Sequence, residues 1–249
     1  MKAIISDIHS NLEALKAVLK DIAERGITEI VCLGDIVGYG ANPIECLELT
    51  QTRCSLIIKG NHEEAALSEP LDFNFKAAEA IRWTRERIEK SPSDQVRKNL
   101  DFFENLPEQA DDNGMLLVHG TPRQPTRDYL FPWEIRDKEK FAEIFAKVDQ
   151  YCFVGHSHIP GVFTESRTYV HPSDMTMEGI YILDEQKAII NVGSVGQPRD
   201  GDPRACYCTF DGDSVVFRRV NYDYEVTKKR IYANERLDNS LGDRLAEGR

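Results

Sequence analysis

The most informative stretch of this sequence is Tyr151-Cys152-Phe153-Val154-Gly155-His156-Ser157-His158. Its first four residues predict a buried strand that ends at Gly155. In extended backbone, residues two apart point the same way, so His156 and His158 can aim at one point or at two adjacent metal ions. A His-x-His pair alone is also common at protein surfaces, and its weight therefore depends on what the other strands carry.

Four other apolar runs rich in β-branched residues predict buried strands, and each is followed by a residue of a metal-ligating type. The runs and the residues that follow them are 2–6 with Asp7 and His9, 30–33 with Asp35, 56–59 with Asn61 and His62, and 115–118 with His119. All but one of the six histidines lie at these strand ends. Because ligands of open α/β sheets gather at the carboxyl ends of strands, we expect these side chains to meet there.

Composition indicates a globular protein and disfavours long nucleic acid as its main partner. The chain has 249 residues, of which 41% are hydrophobic and 29% charged, enough for one large domain or two small ones. A net charge of −11 disfavours broad contact with a phosphate backbone. It leaves open a small phosphate ester held by metal ions, whose charge acts locally.

The sequence predicts a cytoplasmic protein without a membrane segment. Residues 1–6 are too short for the apolar core of a signal peptide, and no run approaches the roughly 18 apolar residues of a membrane span. The six cysteines show no C-x-x-C spacing, which favours reduced, buried thiols. Cys206 and Cys208 share a strand face, where a metal site is the alternative to simple packing.

The chain opens as a strand, a helix and a second strand. Ser10 is the predicted N-cap of the helix, with Glu13 completing a capping box, and Gly26 ends it. The strand at 28–33 should pair in parallel with the first strand. Asn42-Pro43 begins the next helix.

The remaining pattern predicts a helical insertion, then hairpins, within a single domain over residues 1–249. The insertion, at about 74–106, can shade the site, and the hairpins should form a second sheet. The last dozen residues are polar and predicted to be loose. The predicted helices cover 75–90, 95–105, 134–147 and 223–233. A turn is predicted at 111–114, and hairpins are predicted at 161–170, at 180–183 with 188–192, and at 206–210 with 215–220. The last helix and the tail together cover about 223–249.

The strand-end motifs resemble those of the calcineurin-like metallophosphoesterase family. In order they are D-x-H, G-D, G-N-H-[DE], H and G-H-x-H, between Asp7 and His158. The rest of the sequence, including Gly193-Ser194, is most similar to the bacterial phosphodiesterase branch of this family. The resemblance implies a four-layer α/β/β/α sandwich, in which two mixed β-sheets are flanked by helices.

The resemblance also implies a site with two divalent ions that share Asp35. The first ion would take Asp7, His9, Asp35 and His158, and the second would take Asp35, Asn61, His119 and His156. Imidazole, carboxylate and amide ligands suit Mn²⁺, Fe²⁺ or Zn²⁺. His62 would stabilise the phosphate or protonate the leaving oxygen, and Glu63 could orient its neighbours. Taken singly, each of these residues also has an ordinary role as a cap, a turn residue or a core histidine.

One departure from the family pattern bears on the substrate. Many relatives have G-D-x-x-D-R, whereas this chain has Gly34-Asp35-Ile36-Val37-Gly38-Tyr39, without the arginine that contacts phosphate. Tyr39 can occupy the vacated space. Arg199 or Arg204, in and after the loop 191–199, and Arg123 after His119 are candidate substrate ligands, with a surface role as the alternative for each.

The predicted activity is hydrolysis of a small phosphodiester by attack of a dimetal-bound water or hydroxide. The alternatives are a phosphomonoesterase or protein phosphatase, a dinucleoside polyphosphate hydrolase, and a non-catalytic scaffold such as the retromer subunit that shares this fold. The aromatic segment 129–133 is expected to shape specificity or association. His171 fits no motif and is predicted to be a loop histidine.

Overall fold

The computed structural model describes residues 1–175 and 179–249. Within these ranges the strands form two six-stranded mixed sheets flanked by helices, which confirms the predicted fold class. The strands are β1 (Lys2–Ile5), β2 (Glu29–Cys32), β3 (Leu56–Ile57), β4 (Gln109–Asp112), β5 (Met115–Val118), β6 (Tyr151–Val154), β7 (Gly161–Thr164), β8 (Thr168–Val170), β9 (Ile180–Ile182), β10 (Ala188–Asn191), β11 (Ala205–Phe210) and β12 (Ser214–Val220).

The helices cover the outer faces of both sheets. In the described ranges they are α1 (Leu12–Glu24), α2 (Pro43–Arg53), α3 (Asn61–Ala66), α4 (Phe75–Glu89), α5 (Ser93–Asn105), α6 (Lys138–Phe145), α7 (Tyr224–Tyr232) and α8 (Ser240–Asp243). Short 3₁₀ turns occupy Pro132–Arg136, Pro172–Asp174 and Arg244–Ala246. Among the described residues, no helix is both long enough and apolar enough to cross a bilayer.

Alternation along the strands produces the four layers. In β1, Ala3 and Ile5 pack against α1, while Ile4 faces the other sheet. In β6, Phe153 packs between the sheets, and Cys152 faces α6. Successive strand residues point to opposite faces, so a strand buried on both sides is apolar throughout. All six cysteines lie in the described ranges as free thiols.

Each sheet combines strands from both halves of the chain, which corrects the expectation of a separate sheet built from the later hairpins. The first sheet has the order β3-β2-β1-β11-β12-β9, and the second has the order β4-β5-β6-β10-β7-β8. The predicted hairpin of 180–183 with 188–192 is wrong, because β9 pairs with β12 and β10 lies between β6 and β7. Fully buried β10 requires neighbours on both sides, whereas partly exposed β9 suits a sheet edge.

Local capping corrects two helix boundaries. Asn11, not Ser10, caps α1, and its Oδ1 accepts a hydrogen bond from the Ala14 N–H at 3.1 Å. Glu13 instead accepts a hydrogen bond from Thr227 of α7 at 3.0 Å. The helix predicted at 134–147 is divided, because Asp137 caps α6 separately from the preceding 3₁₀ turn.

The insertion forms α4 and α5 as predicted, but the chain's last residues are not loose. Leu237, Leu241 and Leu245 are buried together against Ala80 of α4 and Ile231 of α7. Leu241 lies in α8 and Leu245 in the 3₁₀ turn that follows it, whereas Leu237 lies in the loop before α8. The polar composition of the tail concealed this apolar stripe.

We expect Leu241→Ala to lower the free energy of unfolding by about 2–3 kcal/mol, because it removes a side chain that is 3% exposed from this cluster. Urea unfolding followed by circular dichroism measures the change. Leu71→Ala is the matched control, since Leu71 is 83% exposed. Equal effects of the two substitutions would contradict a packed C-terminal segment.

Candidate metal centre

The parallel strands bring the predicted ligands to one place. β1, β2 and β3 run parallel in the first sheet, and β5 and β6 run parallel in the second. Their carboxyl ends lie together, where backbone hydrogen bonds join the loops, such as Asp7 N–H to Gly34 O at 3.0 Å and Gly155 N–H to His119 O at 2.9 Å. The seven side chains predicted as ligands are all buried: Asp7, His9, Asp35, Asn61, His119, His156 and His158.

The first cluster consists of Asp7, His9 and His158. Their ligand atoms lie within 4.8 Å of one another. Asp7 Oδ1 is 3.1 Å from His158 Nε2 and 3.7 Å from His9 Nε2. The two ring nitrogens, His9 Nε2 and His158 Nε2, face each other at 3.1 Å.

The second cluster consists of Asp35, His119 and His156, again with ligand atoms within 4.8 Å of one another. Asp35 Oδ2 is 3.3 Å from His119 Nε2, which is also 3.0 Å from His156 Nδ1. Asn61 Oδ1 lies 3.1 Å from the same His119 nitrogen. Asp35 Oδ2 is also 3.7 Å from His9 Nε2, so this carboxylate borders both clusters.

Each of the four histidines in the two clusters has one inner ring nitrogen, which faces the other candidate ligands, and one outer ring nitrogen. Each outer nitrogen lies within hydrogen-bond distance of a backbone carbonyl oxygen. A carbonyl only accepts, so each outer nitrogen carries a proton, and the inner nitrogen presents a lone pair wherever the ring is neutral. Such lone pairs repel at 3 Å unless a cation or proton lies between them, which is the arrangement a metal ion fits. The pairs are His9 Nδ1 with Val37 O (3.2 Å), His119 Nδ1 with Leu33 O (2.9 Å), His156 Nε2 with Arg127 O (3.2 Å) and His158 Nδ1 with Gln197 O (2.5 Å).

Burial and the carboxylates set the charges of the cluster. Burial lowers the pKa of His156 to about 3 and that of His158 to about 4, so both rings are neutral and able to bind metal. Burial also opposes the charge on His119, but Asp35 and Asp7 outweigh it and raise the pKa of His119 to about 9. The charge of His119 in turn holds the pKa of Asp35 below its usual range, against the effect of burial.

The backbone is strained at five of the seven candidate ligand residues. Asp7, His9, Asp35, His156 and His158 all have φ between 48° and 64°, in the left-handed region. Non-glycine residues adopt this conformation at a cost of about 1–2 kcal/mol each. The extended geometry expected for His156 and His158 is therefore wrong, and the left-handed bends turn the two rings into different clusters.

Glu63 fixes the loop that carries Asp35. Its fully buried carboxylate accepts hydrogen bonds from four backbone N–H groups, which belong to Asp35 (2.8 Å), Ile36 (2.8 Å), Val37 (3.2 Å) and Gly60 (3.0 Å). A side chain on Gly60 would collide with the Asp35 carboxylate, so glycine is required there.

The loop 191–199 supports the candidate metal centre from the second sheet. Ser194 Oγ donates to the carbonyl of Asp7 at 2.8 Å, and Asn191 Nδ2 donates to the carbonyl of Gly155 at 2.7 Å. Val192 is buried in the core between the sheets. The same loop carries Arg199 into the wall of the cavity beside the metal centre.

The predicted substrate residues divide into two groups. Tyr39 and Arg199 line the cavity, and the Arg199 guanidinium lies 5.9 Å from the centre of the Tyr39 ring. Arg123 and Arg204 do not reach it, because Arg123 pairs with Asp128 and Glu143, and Arg204 pairs with Asp202. Asp128 in the same loop and Glu143 of α6 hold Arg123 away from the cavity, and Asp202 in the same loop holds Arg204 away.

Several cavity residues lie in none of the strand-end motifs and were not predicted individually. They are Asp72, Phe73, Asn74, Ala77, Arg127 and Tyr129. The aromatic run 129–133 was the one available signal for Tyr129. His171 lies outside both clusters, as expected, where its ring caps a 3₁₀ turn and contacts Asp200.

Comparison with known proteins agrees with this geometry. The model of the calcineurin-like phosphoesterase superfamily domain matches residues 1–214. The chain belongs to this superfamily. A metallophosphoesterase from Sphaerobacter thermophilus has a crystal structure similar over 100% of this chain and 99% of its own, with a TM-score of 0.82 and 35% identity. Superfamily membership supports metal-dependent phosphoester hydrolysis as the activity.

Two further relatives extend the likeness to archaea. An uncharacterized protein of Methanocaldococcus jannaschii is 44% identical over 100% of this chain and 98% of its own length. A hypothetical protein of Pyrococcus horikoshii shares the fold, with a TM-score of 0.76 at 21% identity over 100% of this chain and 99% of its own.

We expect Glu63→Gln to lower the free energy of unfolding by about 3 kcal/mol, because the new amide NH₂ would face backbone N–H donors. Chemical denaturation measures the change. Glu48→Gln, on the exposed face of α2, is the control and should differ little from wild type. If the two variants unfold alike, the four hydrogen bonds do not stabilise the Asp35 loop.

Proposed function

We propose that this phosphoesterase is a phosphodiesterase that hydrolyses a small phosphodiester with two divalent metal ions. The observation that carries the proposal is the position of Asp35, whose Oδ2 borders His119 in one cluster and His9 in the other. A carboxylate shared by two sets of ligands suits a pair of ions that clamp one phosphate.

The proposed ligand sets follow the two clusters. Asp7, His9, Asp35 and His158 would hold one ion, and Asp35, Asn61, His119 and His156 would hold the other. These donors suit Mn²⁺, Fe²⁺ or Zn²⁺, and manganese is the ion we would test first. When bound, such ions polarise the phosphate and lower the pKa of water. In the reaction, a water oxygen bonds to phosphorus, the bond to the leaving oxygen breaks, and a phosphomonoester and an alcohol are released.

His62 is the proposed catalytic residue of the protein itself. Its Nε2 is 4.0 Å from Asp35 Oδ2, and its ring lines the cavity. Burial lowers the pKa of His62 to about 3, although Asp35 opposes this. The neutral ring favours a role as a hydrogen-bond donor to the substrate phosphate, of the two roles that the family pattern implies.

The charges of the cavity favour a diester over a monoester. Arg199 donates to Gln197 at 2.8 Å and forms no ion pair within residues 1–175 and 179–249. Arg127 is already paired with Glu64 at 3.1 Å and Asp72 at 2.7 Å. One unpaired guanidinium suits a monoanionic diester better than a dianionic monoester.

Two broader proposals accompany this function. The C-terminal cluster on α4 supports one domain over residues 1–249, because it joins the insertion to the last residues. Free cysteines throughout the chain support a reducing, cytoplasmic compartment.

With Mn²⁺ present, we expect kcat/KM for bis(4-nitrophenyl) phosphate to exceed that for 4-nitrophenyl phosphate by about tenfold or more. The reason is that, among the described residues of the cavity, no free cationic side chain remains to pair with the second negative charge of the monoester. Release of nitrophenolate measures both rates. A chelator should abolish both activities, and added Mn²⁺ should restore them. A preference for the monoester would favour a phosphomonoesterase, and inactivity of the metal-loaded protein towards both would favour a scaffold.

We expect His62→Asn to lower kcat for the diester by about 100-fold or more, because it removes the imidazole that would contact the phosphate. Metal content, measured by mass spectrometry, should stay at the wild-type value, since His62 is not a proposed ligand. His171→Asn is the control and should keep full activity. Loss of metal from His62→Asn would instead identify His62 as a ligand.

A further inference from the structure

The cavity beside the metal centre has a volume of about 360 Å³ and two chemically different walls. One wall consists of the histidines and carboxylates described above. The other carries aromatic rings from three separate segments: Tyr39 after β2, Phe73 before α4, and Tyr129 after β5. The metal wall accounts for the phosphate, whereas the aromatic wall has no role in that chemistry.

Tyr129 is the inner end of a stack of rings that extends to the surface. Phe131 lies 5.1 Å from Tyr129 with an interplanar angle of 8°, and Trp133 lies 4.6 Å from Phe131 at 10°. The other face of Tyr129 covers His156, with ring centres 3.7 Å apart. Because both faces are covered, Tyr129 is rigidly held and presents its edge and hydroxyl to the cavity.

These aromatic rings are more exposed than rings whose only role is to pack in a hydrophobic core. Trp133 is 59% exposed and Tyr129 is 37% exposed. Contiguous exposed apolar surface usually marks a binding site. Because this surface is continuous with the metal cavity, the best explanation for it is that it binds the organic part of the substrate.

Phe73 lines the cavity from the insertion side. Its ring is 5.2 Å from His62 at an angle of 83°. The ion pair between Arg127 and Asp72 joins the segments that carry Tyr129 and Phe73. Asn74 caps α4 by accepting a hydrogen bond from the Ala77 N–H at 3.0 Å, which fixes the end of the Phe73 segment.

We propose that the organic group bound by Tyr129 and Phe73 is a nucleobase, so that the substrate is a nucleoside phosphodiester. The proposal rests on the phosphodiesterase function proposed above. A base of any sequence can stack on the ring of Phe73, whereas an alkyl group gains only burial. Tyr129, whose two faces are covered by Phe131 and His156, offers its edge and hydroxyl instead, and Asn74 adds an amide that can bond the edge of a base. The net charge of −11 favours a mononucleotide or dinucleotide ester over a long strand.

Two substrates with the same leaving group test the proposal. Both thymidine 5′-(4-nitrophenyl) phosphate and methyl 4-nitrophenyl phosphate release 4-nitrophenolate, leaving thymidine 5′-phosphate or methyl phosphate. The ratio of their kcat/KM values therefore reports the retained group alone. With Mn²⁺-loaded protein, we expect the nucleoside ester to be favoured by about tenfold or more.

The variants Phe73→Ala and Tyr129→Ala should each lower this ratio by about 5- to 30-fold, whatever loss the two substrates share. Phe75→Ala is the matched control, because Phe75 is 80% exposed and lies outside the cavity. A wild-type ratio near one would overturn the proposal. A ratio that both variants leave unchanged would also overturn it, since the rings would then only support the metal centre.

Failure of the proposed function gives a different result. If neither diester is hydrolysed, the phosphodiesterase proposal fails, and calorimetry with the Mn²⁺-loaded protein still tests the base site. Thymidine 5′-phosphate should bind about tenfold more tightly than methyl phosphate, and Phe73→Ala should remove the difference. Equal affinities would overturn the base site.

Discussion

Four loops from the two sheets come together at the carboxylate of Asp35, and the proposed reaction would take place beside it. Its Oδ1 accepts the backbone N–H of His62 at 2.9 Å, while its Oδ2 faces both clusters of ligands. A buried charge is stable only when it is paired and hydrogen-bonded. Glu63 meets part of this requirement by holding the backbone of the Asp35 loop, and the histidines or bound cations meet the rest.

The site concentrates features that a protein selected for stability alone would avoid. Left-handed backbone, facing imidazole nitrogens and buried carboxylates each cost free energy. The four layers around the site supply the rigidity that holds these groups in place. Cations bound between the ligands would relieve the repulsion, so metal binding and stability of the fold are linked.

The candidate ligands at the strand ends were predictable because each lies close in sequence to the strand that positions it. Asp7, Asp35 and His119 follow apolar runs directly or after one residue, so their position depends on a few bonds of chain. The partner of a strand is not local in this way, and β9 and β10 were wrongly paired for that reason. The C-terminal stripe of Leu237, Leu241 and Leu245 was missed because its partners lie on α4, far away in sequence.

The sequence by itself determined the α/β class and the set of metal-ligand candidates, because local patterns of apolar and polar residues specify both. Its motifs implied the four layers through the family that they resemble. The tertiary structure alone decided which cationic side chains and which aromatic rings reach the cavity. Arg123 and Arg127 are four residues apart, yet only Arg127 lines it, since Asp128 and Glu143 hold Arg123 elsewhere. Such choices depend on ion pairs and stacking between distant segments, which local sequence does not specify.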